Sequence, residues 1–363
     1  MLKIKFIIPT ANTHPNDAKW QHLVPRTYMR AWSYNQTNSV YVVMKNRLEE
    51  GIQPKNVETL NYKVGFHDIK AGDLFVPDEA LNDLYGFMMD YDVLCGNIKL
   101  QKLRDFDNHY KDYDDWIIKD ANGTLAKPKD KKEIKRVISQ SRYTFIEKEW
   151  CRQYEDNWNN YINQIESKLR CKVFSKPYII SEQERRELME YIIIFDFRSL
   201  YGNIWINKII DNILPRKIAR YVIPNEDRIR KYNTTFEEQI KHAVKIKSYY
   251  EFLKNKSGKL AIMVDNYLKS LGLAVYLTTD KYPFVTCETP SMIISRKDKL
   301  KEHIFVATPT MLITTFKTDR PERHFIKKYL SVTEVTQYNK YIANQSQCII
   351  TNKCDLDYMS LYK

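Results

Sequence analysis

A histidine followed closely by two arginines, His22, Arg26 and Arg30, is the strongest chemical signal near the start of the chain. Imidazole titrates near neutral pH and can transfer a proton in either direction. Guanidinium groups can neutralise a pentavalent phosphate. If the segment is helical, the three side chains share one face, which favours phosphodiester cleavage with His22 as general acid or base and both arginines as phosphate ligands. The alternative is a structural His22 that hydrogen-bonds a turn carbonyl ahead of Pro25.

Arg198 and Glu288 are the other charged residues that could do chemistry. Arg198 lies in an otherwise apolar stretch that is typical of a helix, and a buried guanidinium is costly unless it is paired. Asp196 is too close along the helix to face it, so we expect Glu288 to be the partner. The pair is then either structural, or part of a site in which Arg198 binds phosphate and Glu288 orients His22.

A carboxylate metal site is the alternative to metal-free chemistry. Glu147 or Glu155 could bind a divalent cation together with Glu288. The six cysteines are scattered without a C-x-x-C pair, which disfavours structural zinc, and Cys287 is a weak candidate nucleophile. We expect no cofactor and no bound metal, with the divalent cation kept as the open alternative.

The charge of the chain favours a polyanionic partner. The 363 residues carry 58 Lys+Arg against 45 Asp+Glu, a net charge of +13, and residues 201–260 hold 13 Lys+Arg against 6 Asp+Glu. Such an excess attracts RNA or DNA. No run of about 18 apolar residues could span a membrane, and the N-terminus lacks a secretory signal. We therefore expect a cytoplasmic protein that binds RNA or DNA and has no membrane contact.

The apolar periodicity and the turn residues predict the elements that position these side chains. Strands are predicted at 39–44, 273–279, 284–286, 304–306, 311–315 and 348–351, with a possible strand at 3–8. Helices are predicted at 79–98, from about 132 towards Pro177, and over 236–253. Capping boxes at Ser181–Glu184 and Ser331–Glu334 predict two more helix starts.

These elements predict an α+β fold, in which a helical middle region packs on a small mixed sheet formed by N-terminal and C-terminal strands. We expect a single domain over 1–363, because the N-terminal strand can complete the C-terminal sheet. Its subregions are an N-terminal strand and helix piece at 1–100, a helical region at 130–260 and a β-rich region at 261–363.

Five short motifs, in this order, resemble one family. They are His22-x-Val24-Pro25-x-x-Tyr28-Met29-Arg30-x-Trp32, the apolar helix from Glu187 to Arg198, Phe284-Val285-Thr286-Cys287-Glu288-Thr289-Pro290, Phe305-x-x-Thr308-Pro309, and a terminal helix with Asn339 and Ala343. The chain is similar over nearly its whole length to the bacterial family catalogued as domain of unknown function 4238. Glu288 stands where that family usually has Asp, Cys287 where it has Ser, and Thr289 where it has Asn.

The resemblance implies an accessory-genome protein, some of whose relatives lie beside antiviral defence genes. We therefore expect a nucleic-acid-acting effector, an endoribonuclease or related phosphodiesterase, in a bacterial defence or toxin system. The alternative is a non-catalytic nucleic-acid- or protein-binding component of such a system, with a partner protein from the same operon. A small-molecule enzyme acting on nucleotides is a third possibility, without a Gly-rich phosphate loop to support it.

Overall fold

The computed structural model describes residues 20–35, 37–69, 78–171, 180–199, 202, 204, 206–208, 210–212, 229–230, 234–295, 301–319, 321 and 326–362. The α-helices whose bounds the structure describes are α1 (Arg26–Met29), α2 (Asp78–Tyr85), α3 (Leu103–His109), α4 (Pro128–Trp150), α5 (Asp156–Arg170), α6 (Glu182–Arg198), α7 (Phe236–Asn255), α8 (Gly258–Ser270), α9 (Val332–Gln345) and α10 (Tyr358–Leu361). A π-helical segment occupies Cys151–Glu155, and 3-10 turns occupy Arg30–Trp32, Lys45–Glu50, Val57–Thr59, Gly86–Asp90 and Tyr110–Asp115.

The strands are β1 (Trp20–His22), β2 (Ser39–Met44), β3 (Gln53–Asn56), β4 (Tyr62–Val64), β5 (Asp92–Cys95), β6 (Ile98–Leu100), β7 (Trp116–Lys119), β8 (Ile229–Arg230), β9 (Thr234–Thr235), β10 (Leu271–Leu277), β11 (Thr286–Cys287), β12 (Ser291–Ser295), β13 (Lys301–Thr308), β14 (Met311–Lys317), β15 (Ile326–Tyr329) and β16 (Cys348–Thr351). No helix in the described ranges is both long enough and apolar enough to cross a membrane.

The chain divides into two compact units by its internal contacts. The first unit comprises the described residues of 1–21, 64–150 and 209–256, and the second comprises those of 22–63, 151–208 and 257–363. The expectation of one domain over 1–363 stays a prediction.

The first unit combines helices with a small antiparallel sheet in the order β6-β5-β7. Helix α4 packs against α2 and α7. Trp116, Phe106 and Tyr85 are buried in this unit, as are Trp150 and Tyr249. Burial of these rings supplies much of the hydrophobic stabilisation of the unit.

The second unit contains two larger sheets. One has the order β12-β13-β14-β10-β15, and is mixed because β15 runs parallel to β10 while the other pairs are antiparallel. The other has the order β11-β16-β2-β3, so N-terminal strands pair directly with C-terminal ones. Tyr28, Trp158, Phe195 and Phe305 form an aromatic cluster between helices and sheet, with Phe195 and Phe305 5.1 Å apart between ring centroids. The predicted α+β fold is therefore confirmed.

Local sequence signals set several helix starts as expected. The Ser181 hydroxyl accepts from the Glu184 amide while the Glu184 carboxylate accepts from the Ser181 amide, which satisfies donors that a helix start leaves open. Ser331 and Glu334 repeat this arrangement at the start of α9. Strands β2 and β16 have the bounds predicted for them.

Other expected bounds were wrong. The helix predicted over 79–98 ends at Tyr85, and a 3-10 turn and the hairpin β5–β6 follow it. Helix α6 ends at Arg198, where the second motif places its end, whereas β13 spans Lys301–Thr308 instead of the predicted 304–306. The middle helical region ends at Arg170, before Pro177. Pro177 itself and the possible strand at 3–8 lie outside the described residues, as does part of the basic segment 201–260.

Candidate functional site

Tyr28 joins the first family motif to two later ones in the second unit. Its hydroxyl donates to the main-chain oxygen of Val306 at 2.6 Å and lies 2.6 Å from the hydroxyl of Thr286. The ring is fully buried, and burial raises the pKa of the Tyr28 phenol well above its usual range. This phenol therefore stays neutral and acts as a structural hydrogen-bonding group.

Trp32 and Asn339 hold the strand segment that precedes Cys287. The indole nitrogen of Trp32 donates to the main-chain oxygen of Phe284 at 2.9 Å. The side-chain amide of Asn339 accepts from the Val285 amide and donates to the Pro283 carbonyl, both at 3.0 Å. We call Tyr28, Trp32, Arg198, Glu288 and Asn339, with the groups that they bind, the motif network.

Arg198 is the most buried charged member of the motif network, since only 2% of its side chain is exposed. Its Nε donates to the main-chain oxygen of His22 at 2.7 Å, and its terminal guanidinium forms an ion pair with Glu155. Glu155 ends the π-helical segment, a type of local irregularity that often re-aims side chains. The expected Arg198–Glu288 pair was wrong, because a carboxylate from the middle helical region reaches the guanidinium instead.

Glu288 lies where β11 ends beside β16. Its carboxylate accepts from the main-chain amides of Gln347 at 2.6 Å and Cys348 at 3.1 Å. It forms no hydrogen bond or ion pair with His22 or Arg198 within the described chain. Glu288 therefore provides acceptors for two adjacent main-chain N–H groups at the start of β16, which a carboxylate can do because it has two oxygens.

His22 belongs to β1. The expectation that it shares a helical face with Arg26 and Arg30 was therefore wrong. Its imidazole Nε2 lies 3.2 Å from the main-chain oxygen of Glu58, and the residue is 9% exposed. Helix α1 begins only after Pro25. Arg26 is half-buried and Arg30 is exposed, and neither forms an ion pair with a described residue.

The thiol of Cys287 is unsuited to nucleophilic attack. It is completely buried, and burial together with the nearby Glu288 charge raises the pKa of the thiol well above its usual range. A reactive cysteine needs the opposite shift, towards thiolate. Cys287 instead exchanges hydrogen bonds with the main chain of Thr289.

The first unit contains a buried polar cluster that the sequence analysis missed. His67 Nδ1 lies 2.7 Å from a carboxylate oxygen of Glu147, and the His67 side chain is fully buried. Gln21 accepts from the His67 amide and donates to Asp68 at 2.5 Å, while the Lys245 ammonium donates to the carbonyl of Phe66. The available signal was Glu147 and Glu149 on the apolar side of a predicted helix. Across the described ranges, no group of three or more His, Cys, Asp or Glu residues is placed to hold a metal ion.

A pocket of about 110 Å³ in the second unit was also missed. It is lined by Asp196, Phe197, Gly202, Met263, Tyr267, Met292, Ile293 and His303. They come from α6, α8, β12 and β13 and from one glycine beyond α6. No short sequence pattern contains them, although Asp196 was visible as an acid inside an apolar helix.

The polar end of this pocket is a histidine shared by two oxygens. His303 Nε2 lies 3.1 Å from the Asp196 carboxylate and 2.8 Å from the Ser291 hydroxyl. Burial lowers the pKa of His303, but the charge and the hydrogen bond of Asp196 outweigh it, so the pKa is raised above the usual value. Because both oxygens approach the same nitrogen, this arrangement does not match a serine-hydrolase triad, in which each nitrogen has its own partner.

Gly202 allows the chain to pass directly over the end of α6. A Cβ atom at this position would lie 1.9 Å from the Asp196 carbonyl oxygen, so no other residue fits without movement of the backbone. The Gly202 amide donates to the Ser199 hydroxyl, which donates in turn to the Asp196 carbonyl. The pocket thus has a wall fixed by backbone contact.

A family model, described as a protein of unknown function (DUF4238), covers most of the chain. The family model matches residues 20–353, so the chain belongs to this family. No curated protein and no solved structure matches the chain.

Proposed function

We propose that this protein is a non-catalytic nucleic-acid-binding component, and that it works in a bacterial antiviral defence or toxin system. The observation that carries nucleic-acid binding is an exposed basic face at the start of α4. Lys129, Lys132 and Arg136 are all exposed, and their spacing of three and four residues places them on the same side of the helix. The defence setting rests on the family resemblance.

The position of this basic face supports a role beyond solubility. Lysines in the first turns of a helix face the positive end of its dipole, where they are mildly destabilising. Arg136 is partly neutralised by Glu133, at 2.6 Å, whereas Lys129 and Lys132 form no ion pair with a described residue. Unneutralised cations in a row bind a phosphate backbone by releasing its counterions.

The contacts of the motif network support a non-catalytic protein. The Arg198 guanidinium is occupied by Glu155 and by a main-chain oxygen, and its side chain is closed to solvent. Glu288 is occupied by two main-chain amides. A phosphate could be bound by Arg198 only if a buried ion pair were broken, at a cost of about 3–5 kcal/mol.

Charge reversal at the basic face tests nucleic-acid binding. Fluorescence anisotropy would follow the binding of labelled single-stranded RNA and DNA to wild type, to the double variant K129E/K132E and to the control K111E. Lys111 is also an exposed lysine of the first unit. We expect the double variant to reduce the salt slope of log K by about 2, on the order of 1 per lysine, and K111E to leave it unchanged. Equal slopes in all three proteins, or no binding by wild type, would refute the proposal.

An endoribonuclease or related phosphodiesterase is the second candidate function. It is favoured by Arg26 and Arg30, two cations of the first motif that no described acid neutralises. In this alternative, His22 transfers the proton. Expression of wild type, H22A and R26A/R30A in cells, with growth and total RNA and DNA followed by electrophoresis, separates the two candidates. Nucleic-acid degradation by wild type that both variants abolish establishes the nuclease, while intact nucleic acid in all three supports the binding component.

A further inference from the structure

We propose that the pocket between Asp196 and His303 binds one unpaired guanine ring. The inference rests on the proposed function, because a protein that binds nucleic acid encounters unpaired bases. Unpaired bases are the usual targets of sequence-specific RNA recognition, since their ring faces and hydrogen-bonding edges are both accessible. The argument depends on the size, the lining and the hydrogen-bonding groups of the pocket.

The walls of the pocket suit a flat, uncharged ring. Met263 and Met292 place thioether side chains on the lining, and Tyr267 contributes an aromatic ring. Sulfur makes favourable contacts with aromatic rings, and methionine adapts to their outline. A volume of about 110 Å³ is large enough to hold a single base.

The charge of the pocket excludes an anionic ligand group. Among the residues that the structure describes, no lysine or arginine lines the pocket, and Asp196 supplies the one carboxylate of the described lining. With the Asp196 carboxylate beside it, His303 gives the pocket no surplus positive charge whether the imidazole is protonated or neutral. A phosphate or carboxylate would lose its hydration without gaining a cation. The base of a nucleotide, and not its phosphate, therefore enters the pocket.

The hydrogen-bonding groups select guanine among the four bases. Asp196 Oδ2 faces His303, while Oδ1 forms no hydrogen bond with any described residue. A carboxylate can accept two parallel N–H groups, and guanine alone presents two adjacent donors, N1–H and the 2-amino group. The Tyr267 hydroxyl, from another lining residue, can donate to the guanine oxygen O6. Adenine, cytosine and uracil each leave part of this set unpaired, which costs affinity.

Calorimetric titration of the whole protein with free nucleosides tests the pocket directly. We expect guanosine to bind, and inosine, which lacks the 2-amino group, to bind on the order of tenfold more weakly. The variant D196N should lose the preference for guanosine over inosine, whereas D265N, a matched change on the neighbouring helix α8 outside the pocket lining, should keep it. Equal binding of guanosine and inosine by wild type would overturn the inference.

A second variant keeps the test decisive if D196N does not fold. Ile293 lines the pocket with half of its side chain exposed and is the cross-strand partner of His303, so the larger side chain of I293W should fill the pocket beside its polar end. We expect I293W to abolish guanosine binding with an unchanged thermal midpoint. Undiminished guanosine binding by folded I293W would overturn the assignment of the pocket.

Oligonucleotides separate this inference from the proposed function. Wild type should bind a single strand with one central guanosine more tightly than the same strand with adenosine there, at fixed salt. Equal binding of both strands, with a normal salt slope, would leave the nucleic-acid-binding function standing and refute the guanine pocket. Guanosine binding with no affinity for either strand would support the pocket and refute the proposed function.

Discussion

The guanidinium of Arg198 donates a hydrogen bond to the main-chain carbonyl oxygen of His22, at 2.7 Å. This contact joins the last residue of α6 to the first residue of the opening motif, 176 positions earlier in the chain. Because the acceptor is a backbone atom, the bond fixes the path of the chain and leaves the imidazole out. The contact between these two motifs therefore has a structural explanation that requires no catalytic role for the His22 imidazole.

The ion pair between Arg198 and Glu155 should dominate the effect of mutations at either residue. R198M leaves the Glu155 carboxylate without this cation, so we expect a loss of about 3–5 kcal/mol in the free energy of unfolding. The double variant R198M/E155Q should recover part of that loss, because it removes the stranded charge. Urea denaturation of R198M, E155Q and R198M/E155Q measures the coupling energy between the two side chains.

A matched control is available on the same helix. Arg186 forms an ion pair with Asp265 at 2.9 Å, but both side chains are more than 40% exposed. R186M should cost less than about 1 kcal/mol, since exposed pairs contribute little. A similar loss for R186M and R198M would contradict the buried-pair interpretation.

The hydroxyl of Tyr28, a residue of the first motif, should contribute to the stability of the folded protein. Y28F removes the donor to Val306 and the partner of Thr286, and leaves both groups buried. We expect the free energy of unfolding to fall by about 1–3 kcal/mol. Y34F is the control, because Tyr34 is half-buried and stacks on Tyr41. Chemical denaturation that gives equal losses for both variants would refute the prediction.

Neutralising Glu288 should loosen the junction between β11 and β16. In E288Q, the side-chain NH₂ replaces one of the oxygens that accept from Gln347 and Cys348, so one main-chain donor loses its acceptor. We expect a loss of about 1–3 kcal/mol in unfolding free energy. We also expect faster hydrogen exchange at the Cys348 amide. Glu58 is exposed, and E58Q serves as the control with no expected change; exchange at Cys348 that is unaltered in E288Q would contradict the prediction.

The pair of His303 and Asp196 should make stability depend on pH. Burial lowers the pKa of His303, and the Asp196 carboxylate raises it by more, so the folded value exceeds the unfolded one. The stabilisation is then fully present below the unfolded histidine pKa of about 6.5, and is lost as pH rises through the higher folded value. Chemical-shift titration of the imidazole and denaturation at several pH values measure both effects.

The variant D196N should shift the pKa of His303 in the opposite direction. Without the carboxylate, burial dominates, so the pKa of His303 should fall below its usual value. In D196N, His303 should therefore no longer cause the free energy of unfolding to decrease as the pH rises through neutrality. An unchanged imidazole titration in D196N would show that Asp196 does not set the pKa of His303.

Local signals in the sequence were sufficient for several elements. Ser181 and Ser331 start their helices as predicted, because a capping box satisfies donors within one turn and needs no distant partner. Strand β16 has its predicted bounds because its β-branched residues favour an extended chain. Helix α2 ended earlier than expected since the apolar spacing continued past Tyr85 into a hairpin, and periodicity alone does not separate short helices from strands.

The sequence by itself determined the α+β class, the family resemblance and the need for a carboxylate beside Arg198. Only the tertiary structure decided that this carboxylate is Glu155 and that Glu288 binds main-chain amides. It also brought Asp196, Tyr267 and His303 to one pocket. Hydrogen-bond caps and apolar periodicity act over a few residues, whereas the partner of a buried charge depends on how distant elements pack.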